Sequence, residues 1–341
     1  MIAKVLDKSR LEEWITDLLA ERTVIAPTRD ERGFAPIAAA DDACLDYGNT
    51  RRPPKEFLLP PTQTLLEFGR QEDGITISAT LPEGSPQVLL GVRPCDAAAI
   101  GMLDAVYLGS EPADPYYRAR RENTVIVTLA CREPLAGCFC TSLDIALESP
   151  EGDVALYDLG DRYYAEARTP AGEALLAGSL WREPNDADRA AQAEAAGQVR
   201  RELAPTVNRE ALAAKLRALG ESPLWEELAR ACVSCGTCTF LCPTCYCFDM
   251  QDEGFAGEGR RFRCWDTCQN PAFTLMTSGE NPRRRRGTRV HQRIGHKFQY
   301  MVERLDRTYC VGCGRCVRLC PVGIDLREVL QEVQGAEPIS A

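Results

Sequence analysis

One phrase of four cysteines occurs twice in this chain and limits its fold more than any other feature. Cys232, Cys235, Cys238 and Cys242 stand at C-x2-C-x2-C-x3-C before Pro243, and Cys310, Cys313, Cys316 and Cys320 repeat the spacing before Pro321. In the bacterial ferredoxin run of this form, three closely spaced thiolates take three irons of one [4Fe-4S] cube and the fourth cysteine ligates the other cube. The spacing therefore predicts two [4Fe-4S] clusters, one on Cys232, Cys235, Cys238 and Cys320, the other on Cys310, Cys313, Cys316 and Cys242. Zinc is the competing use of C-x2-C pairs, but a tetrahedral zinc site takes two pairs and has no use for a third thiol or the proline.

The length of 341 residues exceeds one ordinary core and predicts two domains. A net charge of −10 argues against general nucleic-acid binding. Of the 17 cysteines, eight fall in the two phrases, and thiolate ligands must stay reduced, which predicts a cytoplasmic, low-potential setting. The MIAKVLDKSRLEEW start lacks the apolar core of a secretory signal, and no apolar run approaches membrane-spanning length.

Apolar periodicity predicts a mixed α/β domain over residues 1–220. Leu11, Trp14, Ile15, Leu18 and Leu19 mark one face of a helix, with Ser9 and Glu12 as a capping box. Thr23–Ala26, Ile75–Thr80, Val88–Val92 and Val125–Leu129 read as buried strands. The helix between the last two, Ala97–Leu108 capped by Asp96, predicts a βαβ unit with both strand ends at one sheet edge. Further on come a hairpin (Asp153–Tyr157 and Tyr163–Ala167), a helix over 171–199 and a helix capped by Asn208 and closed by Gly220. Ser222-Pro223 starts another helix, so the boundary falls near 205–222. Residues 221–341 read as an α-helical dicluster ferredoxin domain, because the 67 residues from 243 to 309 carry the helical stripe Val290, Ile294, Phe298, Met301 and Leu305.

Two further cysteine groups lie outside the phrases. Cys95 and Cys131 each follow a predicted buried strand, and Cys138 and Cys140 can fold back to them; the four read either as a third iron-sulfur cluster or as separate buried thiols. Cys245, Cys247, Cys264 and Cys268 read as holders of another cluster, as lining for the first two clusters or as structural thiols. The C-x3-C-x2-C spacing of Cys238, Cys242 and Cys245 also matches radical-SAM enzymes, but two of these thiols are already used and Thr244 replaces the usual aromatic residue. The basic stretch Arg283–Arg286, Arg289, Arg293 and Lys297 opposes the dipole of the helix it enters, so a partner, a cluster or solvent must account for it. His291 and His296, the only histidines, read as ordinary polar positions on that helix rather than ligands. No Walker loop, G-x-G-x-x-G after a strand, G-x-S-x-G or H-E-x-x-H is present, and LPEGS and GFAGEG read as loops.

In order, LLGVRPCDAAAIGMLD, DPYYRARRENT, CFCTS, CVSCGTCTFLCPTCYCF, CWDTC, RVHQRIGHKFQY and CVGCGRCVRLCP resemble the beta subunits of sulfhydrogenases, the cytosolic nickel-iron hydrogenases. They also resemble the corresponding iron-sulfur subunit of anaerobic sulfite reductases, which shares the architecture. The resemblance covers roughly residues 55 to 330. It implies an electron-transfer subunit between a flavin- and NAD(P)-binding subunit and a catalytic subunit, which carries nickel-iron or sirohaem. It also implies a third Fe-S cluster on Cys95, Cys131, Cys138 and Cys140 and leaves Cys264 outside the obligatory set, so Cys245, Cys247 and Cys268 remain as the further ligand candidates of the second group. Service to a heterodisulfide reductase or formate dehydrogenase is a more distant expectation. A catalytic sulfur-reducing subunit is the rival from another class, and structural iron-sulfur use on nucleic acid would need a broader basic surface.

Overall fold

Strands that are apolar on both faces are stable only when helices cover both sides of their sheet. In chain order the computed structural model, which describes residues 2–30 and 32–337, has strands β1 (Ile2–Asp7), β2 (Thr23–Pro27), β3 (Phe34–Pro36), β4 (Thr62–Gln71), β5 (Gly74–Ala79), β6 (Gln87–Val92), β7 (Thr124–Leu129), β8 (Val154–Asp158), β9 (Arg162–Ala167), β10 (Phe248–Phe255) and β11 (Glu258–Trp265). Seven form one sheet in the order β1-β9-β8-β7-β6-β2-β3. Its centre, β8-β7-β6-β2, is parallel, and the outer pairings are antiparallel. Val88, Leu89, Leu90, Val127 and Leu129 are buried along this centre. The expected βαβ unit is present, although its crossover contains two helices, Pro94–Tyr107 and Pro115–Glu122. The expected hairpin is also present and joins the same sheet as β8 and β9.

Several local expectations need correction. Ser9 does not cap the first helix: a 3-10 turn over Lys8–Arg10 carries the chain into Leu11–Glu21, so Ser9 is already inside the turn. Asp96 is not an N-cap either, because Pro94 starts its helix two residues earlier and Asp96 turns inward to an arginine. Asn208 accepts from Glu210 N in a turn, and the helix over Leu212–Leu219 begins after it; Gly220, at φ 44, does end that helix. The helix expected over 171–199 is two helices, Pro170–Leu175 and Asp186–Glu202, separated by a segment carrying Gly178 at φ 100 and Pro184. The strand at Ile75 exists but is exposed throughout, at the edge of a second sheet.

That second sheet also corrects the all-helical description of the ferredoxin half. Its order is β10-β11-β4-β5, all antiparallel, and it draws two strands from each side of residue 220. The GFAGEG segment is the tight turn between β10 and β11, with Ala256 at φ 55 and Gly257 at φ 92. The helical stripe beyond it is observed, running through Arg286–Gly295, a π-helical stretch over His296–Tyr300 and Met301–Leu305.

The two halves meet through one apolar core. Met102, Phe139 and Leu143 from the first half pack with Ile294, Phe298, Tyr309 and Val311 from the second. Fully burying such a side chain contributes roughly 1.5–3 kcal/mol, so this contact is part of the protein's stability. At its tightest point Phe139 N donates to Gly312 O at 2.8 Å, and a Cβ on Gly312 would fall 2.5 Å from Cys140 N. Only glycine fits there.

Candidate iron-sulfur site

Both cysteine phrases fold the same way. Ser234 and Gly236 in the first, and Gly312 and Gly314 in the second, adopt left-handed backbone at equivalent positions. These kinks wrap the loop before a short helix, Thr237–Phe240 or Arg315–Arg318, and the two helices pack together. That packing brings the end of each phrase to the other. Cys320 lines one cavity with Cys232, Cys235, Cys238 and Cys316. On the other side Lys297 Nζ donates to Cys242 Sγ at 3.3 Å and to Tyr309 O at 3.0 Å, tying buried Cys242 to the residue before Cys310. Backbone amides also reach the outer thiols: Ser234 N lies 3.4 Å from Cys232 Sγ, and Ile324 N 3.3 Å from Cys320 Sγ.

The third thiol group lies against the second phrase. Cys95 stands in the first turn of the helix that follows β6, and Cys131 stands two residues beyond the neighbouring β7. Cys95 and Cys140 share an apolar core with Cys310 and Cys313, and Cys131 packs on it. Cys138 Sγ donates to Cys313 O at 3.7 Å, while Arg318 Nη1 donates to Ala136 O at 2.9 Å.

In the fourth group Cys245 lies beside Cys242, and Cys247 beside Cys268. Cys264 stands apart on β11, opposite Asp249 and Thr62. Cys264→Ser is accordingly expected to leave the iron content of the loaded protein unchanged; a loss of iron on analysis would place it among the ligands.

Burial pushes most of these thiols up: Cys238 to about 11, and Cys140, Cys310 and Cys313 to about 12. Iron must therefore displace protons as it binds. Cys242 moves the other way, because the neighbouring Cys245 thiol and the positive charge of Lys297 and Arg293 favour its thiolate. The Cys247 thiol likewise brings Cys268 down to about 6, helped by Gln269. Among the described residues no three Cys, His, Asp or Glu side chains stand within reach of one metal ion. A cube does not ask for that, since each thiolate meets its own iron.

The donor set fits iron-sulfur clusters on a second count, the cations around it. Arg286 Nη1 donates to Cys232 O at 2.9 Å, Arg289 Nη2 to Ser234 Oγ at 3.0 Å and Arg293 Nη2 to Cys238 O at 3.1 Å. The Nε atoms of Arg289 and Arg293 are buried and have no protein partner. The basic stretch thus divides, with Arg286, Arg289, Arg293 and Lys297 on the cysteine side and Arg284 and Arg285 in solvent. His291 stacks on Trp225 at 4.5 Å, and His296 Nε2 lies 3.2 Å from Tyr246 OH.

Two residues at the site gave no sign in the sequence. Lys55, buried, donates to Cys242 O at 2.8 Å and Cys245 O at 2.7 Å and sits over the Trp265 ring. Arg315, between Gly314 and Cys316, is buried against Asp96 and Thr50. Lys55 had no local signal, because its partners lie almost 190 residues away.

Among known proteins, residues 231–324 match the family described as 4Fe-4S dicluster domain. The chain is 33% identical over 305 residues to the sulfhydrogenase 2 subunit beta of Pyrococcus furiosus, a match that covers 88% of this chain and 88% of that protein. No solved structure matches it.

Proposed function

The chain belongs to the family of sulfhydrogenase beta subunits, and on that premise we propose that it is the iron-sulfur electron-transfer subunit of a cytoplasmic nickel-iron (sulf)hydrogenase. It would relay electrons between a flavin- and NAD(P)-binding subunit and a catalytic subunit. The carrying observation is the succession of thiol groups. Cys95, Cys131, Cys138 and Cys140 adjoin the phrase at Cys310, which adjoins the cavity of Cys232, Cys238 and Cys320, where Cys235 is exposed. When bound, the clusters supply one-electron chemistry. The chain's own work is to hold their ligands at fixed spacing, exclude water from Cys242, Cys310 and Cys313, and set the surrounding charge.

On this reading residues 1–220 hold a third cluster and residues 221–341 hold two [4Fe-4S] clusters with the crossed ligand sets given above. Among the described residues no helix is long and apolar enough to cross a membrane. The full chain, reconstituted anaerobically, should bleach with a strong one-electron reductant yet evolve no hydrogen and reduce neither sulfite nor polysulfide. Sustained turnover without a partner would replace the relay by the catalytic reading. In the same preparation Cys131→Ser should lower the iron content by about four per chain, the content of one cube. Unchanged iron and sulfide would make the N-terminal four core thiols.

A further inference from the structure

Two buried cations of this protein have carboxylates at hand: Arg263 pairs with Asp114, and Arg315 with Asp96. The cations around Cys242 do not. Lys297, 1% exposed, has Cys242 Sγ, Thr244 Oγ1 and Tyr309 O as its partners. Lys55, 3% exposed, has the carbonyls of Cys242 and Cys245 and the face of Trp265. Both ammonium groups thus converge on one residue, Lys297 from its sulfur and Lys55 from its backbone.

An uncompensated buried charge is costly, and dipoles of neutral groups offset only part of that cost. Something anionic must complete the site. A thiolate-ligated iron-sulfur cluster is anionic and gains a further negative charge on reduction. Nearby fixed cations therefore stabilise the reduced form more than the oxidised form and raise the potential, as do hydrogen bonds to ligand sulfur. Lys297 supplies both effects at Cys242, and Lys55 supplies charge alone.

We propose that Lys297 and Lys55 are positioning residues that raise the reduction potential of the cluster held by Cys310, Cys313, Cys316 and Cys242. This rests on the cluster assignment proposed above. The phrase at Cys310 lies between the N-terminal thiol group and the cavity of Cys232 and Cys320, so its potential bears on electron passage in either direction.

The test is a redox titration of the reconstituted full chain followed by electron paramagnetic resonance, with iron and acid-labile sulfide counted in each variant. Lys297→Met and Lys297→Gln should each shift the reduction equilibrium of one cluster at least tenfold towards the oxidised form, about 59 mV for a one-electron couple. Lys297→Arg keeps the charge and should stay near the wild-type midpoint. Lys55→Met removes a charge that touches no ligand sulfur. It should lower the same midpoint, and it carries the test if the Lys297 variants fail to load. Neutral variants with full iron content and unmoved midpoints overturn the proposal, because a merely structural role for the lysines would leave potentials alone. A wild-type chain that takes up no iron or sulfide removes the cluster assignment and this proposal together, whereas a loaded chain with unmoved midpoints removes only this one.

Discussion

Cys320→Ser is expected to destroy the cluster of the other phrase, the one held by Cys232, Cys235 and Cys238, some 80 residues earlier in the chain. The short helices Thr237–Phe240 and Arg315–Arg318 pack against each other, and Cys320 lies in the cavity of the first phrase. Removing its sulfur leaves three thiolates for a cube that needs four, while Cys310, Cys313, Cys316 and Cys242 remain complete. Electron paramagnetic resonance of the reduced variant should show one signal lost and iron lowered by about four per chain. Loss of only the cluster at Cys310–Cys316 would refute the crossed pairing.

The largest loss of stability is expected from Asp96→Ala. Arg315 is fully buried; its Nη2 meets Asp96 Oδ2 at 2.8 Å, its Nε meets Thr50 O at 2.8 Å, and a further bond reaches Asn49. Removing the carboxylate strands a guanidinium in the interior, which typically costs about 3–5 kcal/mol. The urea midpoint should fall accordingly, and because Arg315 precedes Cys316, iron retention should fall with it. The double variant Asp96→Leu, Arg315→Met should regain much of the loss, since a well-packed apolar pair needs no counter-charge. A single variant within about 1 kcal/mol of wild type, the worth of an exposed pair, would mean that water reaches the site.

Both pairs of residues illustrate what sequence could and could not reveal. Ligand spacing was legible because it is local: three cysteines at x2 spacing report the geometry of one loop. The βαβ unit was legible for the same reason, since apolar runs at Val88–Val92 and Val125–Leu129 advertise buried neighbours. Partners distant in the chain were not. Lys55 and Arg315 look like ordinary surface cations until the fold buries them. The strand β10 was hidden by its composition, because Phe248–Phe255 is exposed almost throughout and its apolar alternation stops at Met250. Ser9 and Asn208 look like caps in isolation, but the first lies within a 3-10 turn and the second is taken up by a turn ahead of its helix.

The four-stranded sheet also sets a timetable for biosynthesis. Its strands β4 and β5 are complete at Ala79, whereas β10 begins at Phe248, 169 residues later. At a synthesis rate of about 5–20 residues per second, the hairpin leaves the ribosome roughly 8–34 s before its partner strands exist. During that interval the edge of β4 that will receive β11 is unpaired, an invitation to strand addition from another nascent chain. Gly312, which closes over the Cys138–Cys140 loop, arrives later still. The first half of this protein therefore finishes folding only when the second has been made.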